Sequence, residues 1–320
     1  KPVHRALRPR LRRAQAPEMI ESWVAVSASY LTSRKAKDSL ALDPYWPKWD
    51  SPWWHMTLLW ELGRADAIPK EAAEAMLAAI EAKYVRFFPN PREPMPPGKD
   101  YHRDALCHCG LGNMYQTLAA CGLDLDARAP WMRAWFLHYQ LPDGGLNCDE
   151  KAYEKGGASS VQSTLPALES VLAAGRPLTP IEEHFVDRGA EYLLERRLAF
   201  RLRDRQLMDP DFLEIGFPRY YDYDVLRGLT FIANWARLRK RRVQRRAVGW
   251  AIDSFDERFP DGRIKVEKPG LFATENNLMP DRGGNWVRGK TTTFPLLDCV
   301  RKPGTISEVL TRSWAETRKI

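Results

Sequence analysis

Two stretches hold residues able to do chemistry. In YQLPDGGLNCDE, residues 139 to 150, Cys148 and Asp149 follow a Pro-Asp-Gly-Gly turn; in DALCHCG, residues 104 to 110, Cys107, His108 and Cys109 are consecutive. Thiolate, imidazole and carboxylate are the ligand types of zinc. Beside His108 and Asp222, Cys148 and Asp149 would complete an Asp/Cys/His set drawn from separate parts of the chain, with zinc as the cofactor. Cys-His-Cys alone lacks the Cys-x2–4-Cys spacing of a closed zinc site. Neighbouring helical positions also diverge by about 100°, so one or two of the three can face a cavity. Pro142, Asp143, Gly144 and Gly145 read as a turn in their own right, since Pro fixes φ, Asp bonds the local backbone and Gly takes positive φ.

A second chemistry is proton transfer. FPRYYDYDVLRG places Arg219, Tyr220, Tyr221, Asp222, Tyr223 and Asp224 ahead of an apolar run. Asp222 suits an N-cap, and a carboxyl set among aromatic rings has a raised pKa and can protonate a substrate. The catalytic candidates are therefore Asp222, Asp224, His55, His108 and Tyr221. His55 follows YWPKWDSPWW, where packing against tryptophans is the plainer reading. Asp104 reads as the cap of the helix after it. DRGGNWVRGKTTTF gathers Arg282, Arg288 and Lys290 before a further helix; it lacks Walker spacing, but basic groups at a helix start suit phosphate or carboxylate. Trp54, Asp104, Arg219, Arg288 and Lys290 are the substrate-binding candidates.

The elements that must position these residues are helices. EAAEAMLAAIEAKYVRFF and EEHFVDRGAEYLLERRLAFRL repeat apolar residues at helical spacing, and alternating strand patterns are almost absent. Polar residues lead into apolar helices near 55, 108, 160, 222 and 292, a period of roughly 50–60 with two helices per unit. Proline-led turns at Pro89, Pro142 and Pro260 punctuate the series, with a further turn expected near residue 200. Repeated helix pairs stack into solenoids or closed rings. The weakly charged QSTLPALESVLAAG beside the strongly charged EEHFVDRGAEYLLERR favours an inner and an outer set. The expectation is an all-α chain: a basic arm and leading helix over 1–45, then one α/α toroid of about five to six hairpins over 46–320.

YQLPDGGLNCDEKAYEKGGASSVQSTLPALESVLAAG resembles a repeat of the terpene cyclase and protein prenyltransferase superfamily, in which a Gln-x-x-Asp-Gly-Gly turn precedes an inner helix of an α/α toroid. RFPDGRIKVEK and RYYDYDVLRGLTFI are similar, degenerate copies. The resemblance covers residues 50 to 300 and implies an enzyme acting on an apolar, isoprenoid-like substrate inside the ring. The chain departs from the family at its catalytic motifs. DLDA and DYDV are each one Asp short of the cyclase acid, and GGASS stands where the prenyltransferase Asp-x-Cys would be.

The 320 residues carry a formal charge of +8, with basic clusters at RPRLRR, RRLAFRLRDR and RLRKRRVQRR. None interleaves with aromatics as a nucleic-acid groove does, which argues against nucleic acid. It leaves a solvated helix face, peripheral membrane contact or a diphosphate-bearing small molecule as the partner. Five cysteines, an odd number, with no apolar leader or membrane-length run suggest reduced thiols and a cytoplasmic setting. Two rivals to the isoprenoid enzyme remain: a carbohydrate-active toroid lyase or epimerase, and a noncatalytic lipid or small-molecule binder.

Overall fold

The computed structural model describes residues 16–270 and 277–320; the basic arm before residue 16 lies outside the described residues. The chain is predominantly helical. Its helices are α1 Ala16–Thr32, α2 Arg34–Leu42, α3 Pro52–Glu61, α4 Lys70–Lys83, α5 Tyr101–Asp104, α6 His108–Ala120 and α7 Leu125–Arg128. They continue as α8 Trp131–His138, α9 Val161–Leu172, α10 Pro180–Glu195, α11 Val225–Arg239, α12 Arg245–Arg258, α13 Pro295–Val300 and α14 Glu308–Thr317.

Five of these begin close to the expected positions: α3, α6, α9, α11 and α13. Each is followed by a second helix of its pair, α4, α8, α10, α12 and α14. The two sets differ in burial. In α9, Val161, Ser163 to Leu168, Ser170 and Val171 are all buried, so almost the whole circumference is covered. In α10 one face (Phe185, Val186, Gly189, Ala190, Leu193) is covered and the rest carries charge. Local signals set the α10 start: Pro180 occupies the first turn, and Thr179 and Glu182 form a reciprocal capping box.

Packing joins the covered set in series. α3 packs on α6, α6 on α9 and α9 on α11; α11 packs on α14, while α1 lies against both α3 and α13. The closest pair is α6 with α9. A Cβ added at Gly112 would lie 2.6 Å from the Pro166 carbonyl, so only glycine permits this approach. Ser170 Oγ donates across it to the Gly112 carbonyl at 2.7 Å.

Strand content was under-read from sequence. β1 Gly216–Phe217 pairs parallel with β2 Lys268–Pro269, and β3 Asn277–Pro280 pairs antiparallel with β4 Trp286–Gly289. The second pair is a hairpin whose turn is set by Asp281, which accepts from the Gly283 and Asn285 amides. A turn also falls near residue 200, closed by a bridge between Phe200 and Leu207.

Candidate metal centre

The starts of the covered helices meet at one end. Cys148, in the loop that leads through a 3-10 turn to α9, donates its amide to Ser163 of α9. Gln162 of α9 donates to Asp222, just before α11, at 2.7 Å. Lys48, just before α3, donates to the Tyr221 hydroxyl at 3.3 Å, and Thr292, just before α13, donates to Asp50.

Three thiols lie at this meeting point. The sulfurs of Cys107, Cys109 and Cys148 all fall within 4.8 Å of one another, with Cys107 3.1 Å and Cys148 3.6 Å from Cys109. Zinc bonded tetrahedrally to thiolates at ≈ 2.3 Å holds its sulfurs about 3.8 Å apart, so the trio fits a soft cation with small shifts. It is also electrostatically prepared. The Cys107 thiol is pulled well below its usual range, because Cys109 and Cys148 hydrogen-bond its sulfur more strongly than burial opposes the charge. Cys109 is pushed up chiefly by its bond to Cys107, and Cys148 chiefly by burial. The three sulfurs are hydrogen-bonded to one another, and Cys107 is the thiol of the trio whose ionised form this arrangement favours.

Two of the triplet's three side chains face the site, within the limit that the 100° helical spacing sets. Cys107 is the extended N-cap of α6, its sulfur accepting from the Gly110 amide. Because Cys107 precedes the helical turn, its thiol meets that of Cys109, and His108 is sent the other way. His108 does not join the ligand set: Nδ1 accepts from Trp135 Nε1 and Nε2 sits 2.8 Å from the Tyr153 hydroxyl. Burial holds its pKa down to about 3, so the imidazole is neutral, and with Nδ1 accepting, Nε2 carries the proton. Asp149 does not join it either; it is exposed and caps a short 3-10 turn over Glu150–Tyr153.

The other expected site residues separate by location. Asp222 is half-buried beside the thiols but is not the cap of α11; Asp224 caps it, accepting from the Arg227 amide at 2.8 Å. Asp104 does not cap α6; it binds the Asp100 amide within the α5 loop. His55 is buried, stacked on Phe294 at 3.6 Å between ring centres, and its pKa is lowered by burial against the pull of Asp50. Trp54 is fully buried, its indole donating to the Tyr45 carbonyl. Arg288 and Lys290 are exposed on and just after the β3–β4 hairpin, away from any pocket described below. Tyr221 is buried at the shared end, in contact with Lys48.

Lys48 was missed. It is buried, with its ammonium 5.1 Å from the Trp46 ring centre and 5.5 Å from that of Tyr45. Burial lowers its pKa, and the charges of Cys107, Cys109 and Asp222 pull it back up. The available signal was a lone lysine inside the aromatic run YWPKW. Lys48, Tyr45, Trp46, Tyr84, Tyr101 and Cys107 line a pocket of about 250 Å³ beside the thiols.

A second pocket, about 600 Å³, runs along α11 from Arg227 in its first turn to Leu238 near its end, with Glu61, Gln116 and Glu169 from α3, α6 and α9 and Arg219 from the loop before α11. Arg219 thus belongs here and not with the thiols. Arg227 donates twice to Glu169 and once each to the Tyr220 and Asp222 carbonyls. Glu61 accepts from the Arg219 amide through Oε2, its Oε1 has no hydrogen-bond partner, and burial pushes its pKa up against Arg227 and Arg219.

No protein-family model, no curated protein and no solved structure matches this chain.

Proposed function

We propose that this chain is a divergent α/α toroid of the terpene cyclase and prenyltransferase kind whose working centre is a three-thiolate metal site. The observation that carries the reading is the convergence of Cys107, Cys109 and Cys148. Ring closure is supported by α1, which lies against both the first covered helix, α3, and the last, α13. Zinc fits the sulfur donors best. Three protein ligands leave a tetrahedral position open, the arrangement of catalytic zinc, which acts as a Lewis acid. The chain itself supplies a cation, Lys48, for an anionic group, and the rings of Tyr45, Trp46, Tyr84 and Tyr101 for an apolar one. Those faces suit an isoprenoid-like diphosphate.

Metal analysis with native mass spectrometry tests this. One zinc per chain is expected, lost in Cys109→Ala and Cys148→Ala and kept in Cys121→Ala and Cys299→Ala. Protein that takes up neither zinc nor cobalt would overturn the reading. A second reading, a polar substrate such as a sugar acid handled by a lyase or epimerase, is favoured by the opposite pocket, where Glu61 has a raised pKa and sits beside Arg219. If that reading holds, Glu61→Gln abolishes turnover of such a substrate while zinc content stays unchanged.

A further inference from the structure

The two basic clusters RRLAFRLRDR and RLRKRRVQRR, residues 196–205 and 237–246, are brought together on the outer face by α10 and α12. Most of their arginines are neutralised. Arg196 pairs with Asp143, Arg201 and Arg203 with Asp204, Arg239 and Arg241 with Asp187, and Arg245 with Asp253. Of the arginines in the clusters left without a carboxylate, Arg197, Arg205, Arg242 and Arg246 line one depression of about 610 Å³. Glu191 and Glu195 share its wall, but Glu191 is held by Arg188. Arg197 Nε is buried and hydrogen-bonds nothing. The Arg197 guanidinium lies over the Phe200 ring at 5.2 Å, and an anion in the depression would add the charged partner that no carboxylate supplies to these four arginines.

We propose that this depression is a binding site for a phosphate-bearing group, either a free diphosphate or phosphomonoester or the same group as a lipid headgroup. Guanidinium forks match phosphate oxygens bidentately. Four of them around a concavity of single-ligand size distinguish this place from a merely solvated basic face, where the arginines would be spread or paired. The rest of the clusters illustrates the paired case. Aromatic side chains on which bases could stack do not line it, which sets nucleic acid aside. The site is separate from the thiols and stands without them.

Calorimetric titration with inorganic pyrophosphate at low and moderate salt tests this on the full chain. Co-sedimentation with phosphatidylcholine vesicles, with and without phosphatidic acid, forms the second arm. Both the wild type and Arg242→Ala/Arg246→Ala are measured. These side chains are exposed, so the thermal midpoint should not move. Arg92→Ala/Arg312→Ala, exposed elsewhere, removes the same charge. Loss of affinity by about tenfold or more in the first variant, against less than about twofold in the control, supports the site. Pyrophosphate binding identifies a free ligand, and vesicle binding without it identifies a headgroup. Equal losses in the two variants, or binding in neither arm, overturns the proposal.

Discussion

The thiol site and the second pocket solve opposite problems. In the first, three sulfurs cluster beside a buried lysine set among aromatic rings. In the second pocket, Arg227 and Glu169 form a two-pronged ion pair in which nearly every donor is used. The first arrangement is short of partners and gains by acquiring a cation. The second is nearly complete and loses by subtraction. The contrast is between a site prepared for something to arrive and a site that holds the fold together, with Glu61 Oε1 and Arg219 Nη1 the atoms of that pocket left without a hydrogen bond.

Four measurements sharpen or break that contrast. Under the proposed zinc site, the largest effect expected is on chelation: hydrogen exchange should rise by about an order of magnitude over residues 101–110 and 146–163 and stay unchanged over 227–238. Equal loosening at both sites would merge the two regions. Arg227→Met should cost about 3–5 kcal/mol in urea unfolding, since Glu169 is left as an unpaired charge. On acidification, His108 should lower stability. Its folded pKa near 3 lies below the unfolded value near 6.5, so its contribution is full above that value and drains away as pH falls toward 3. The slope should reach at most about 1.4 kcal/mol per pH unit, and His108→Gln should flatten it. The smallest effects fall on the acids before α11. Asp224→Ala should cost about 0.5–2 kcal/mol as a lost cap. Asp222→Asn, which still accepts from Gln162, should cost less than about 0.5 kcal/mol; a larger loss would make Asp222 structural.

Helix positions were legible because apolar periodicity and polar lead-ins are local. α6 begins at His108 and α9 at Val161, as the pattern requires. The candidate site was half legible. The cysteines were conspicuous, yet which ligand types would meet depended on one residue's backbone. Cys107 lies in the extended region at φ −90°, ψ 158°, and that alone turns two thiols to one side and His108 to the other. The cap of α11 failed for a similar reason: Asp222 and Asp224 are equivalent in composition, and the Gln162 side chain, 60 residues away, engages the first of them. Long-range partners of that kind have no signature in a single segment. Lys48 was hidden by the same logic, since its significance lies in what surrounds it.

Gly112 lies one turn after Cys109 and one turn before Gln116, at the point where α6 touches the backbone of α9. Thiols and charged pocket therefore hang from a single pivot. Sliding or spreading the two helices would disturb both sites at once, so neither site can be retuned by moving its scaffold. Over evolutionary time such a chain can change its chemistry only by exchanging side chains in place. An engineer faces the same restriction, and the informative libraries are those that leave Gly112 and Pro166 fixed.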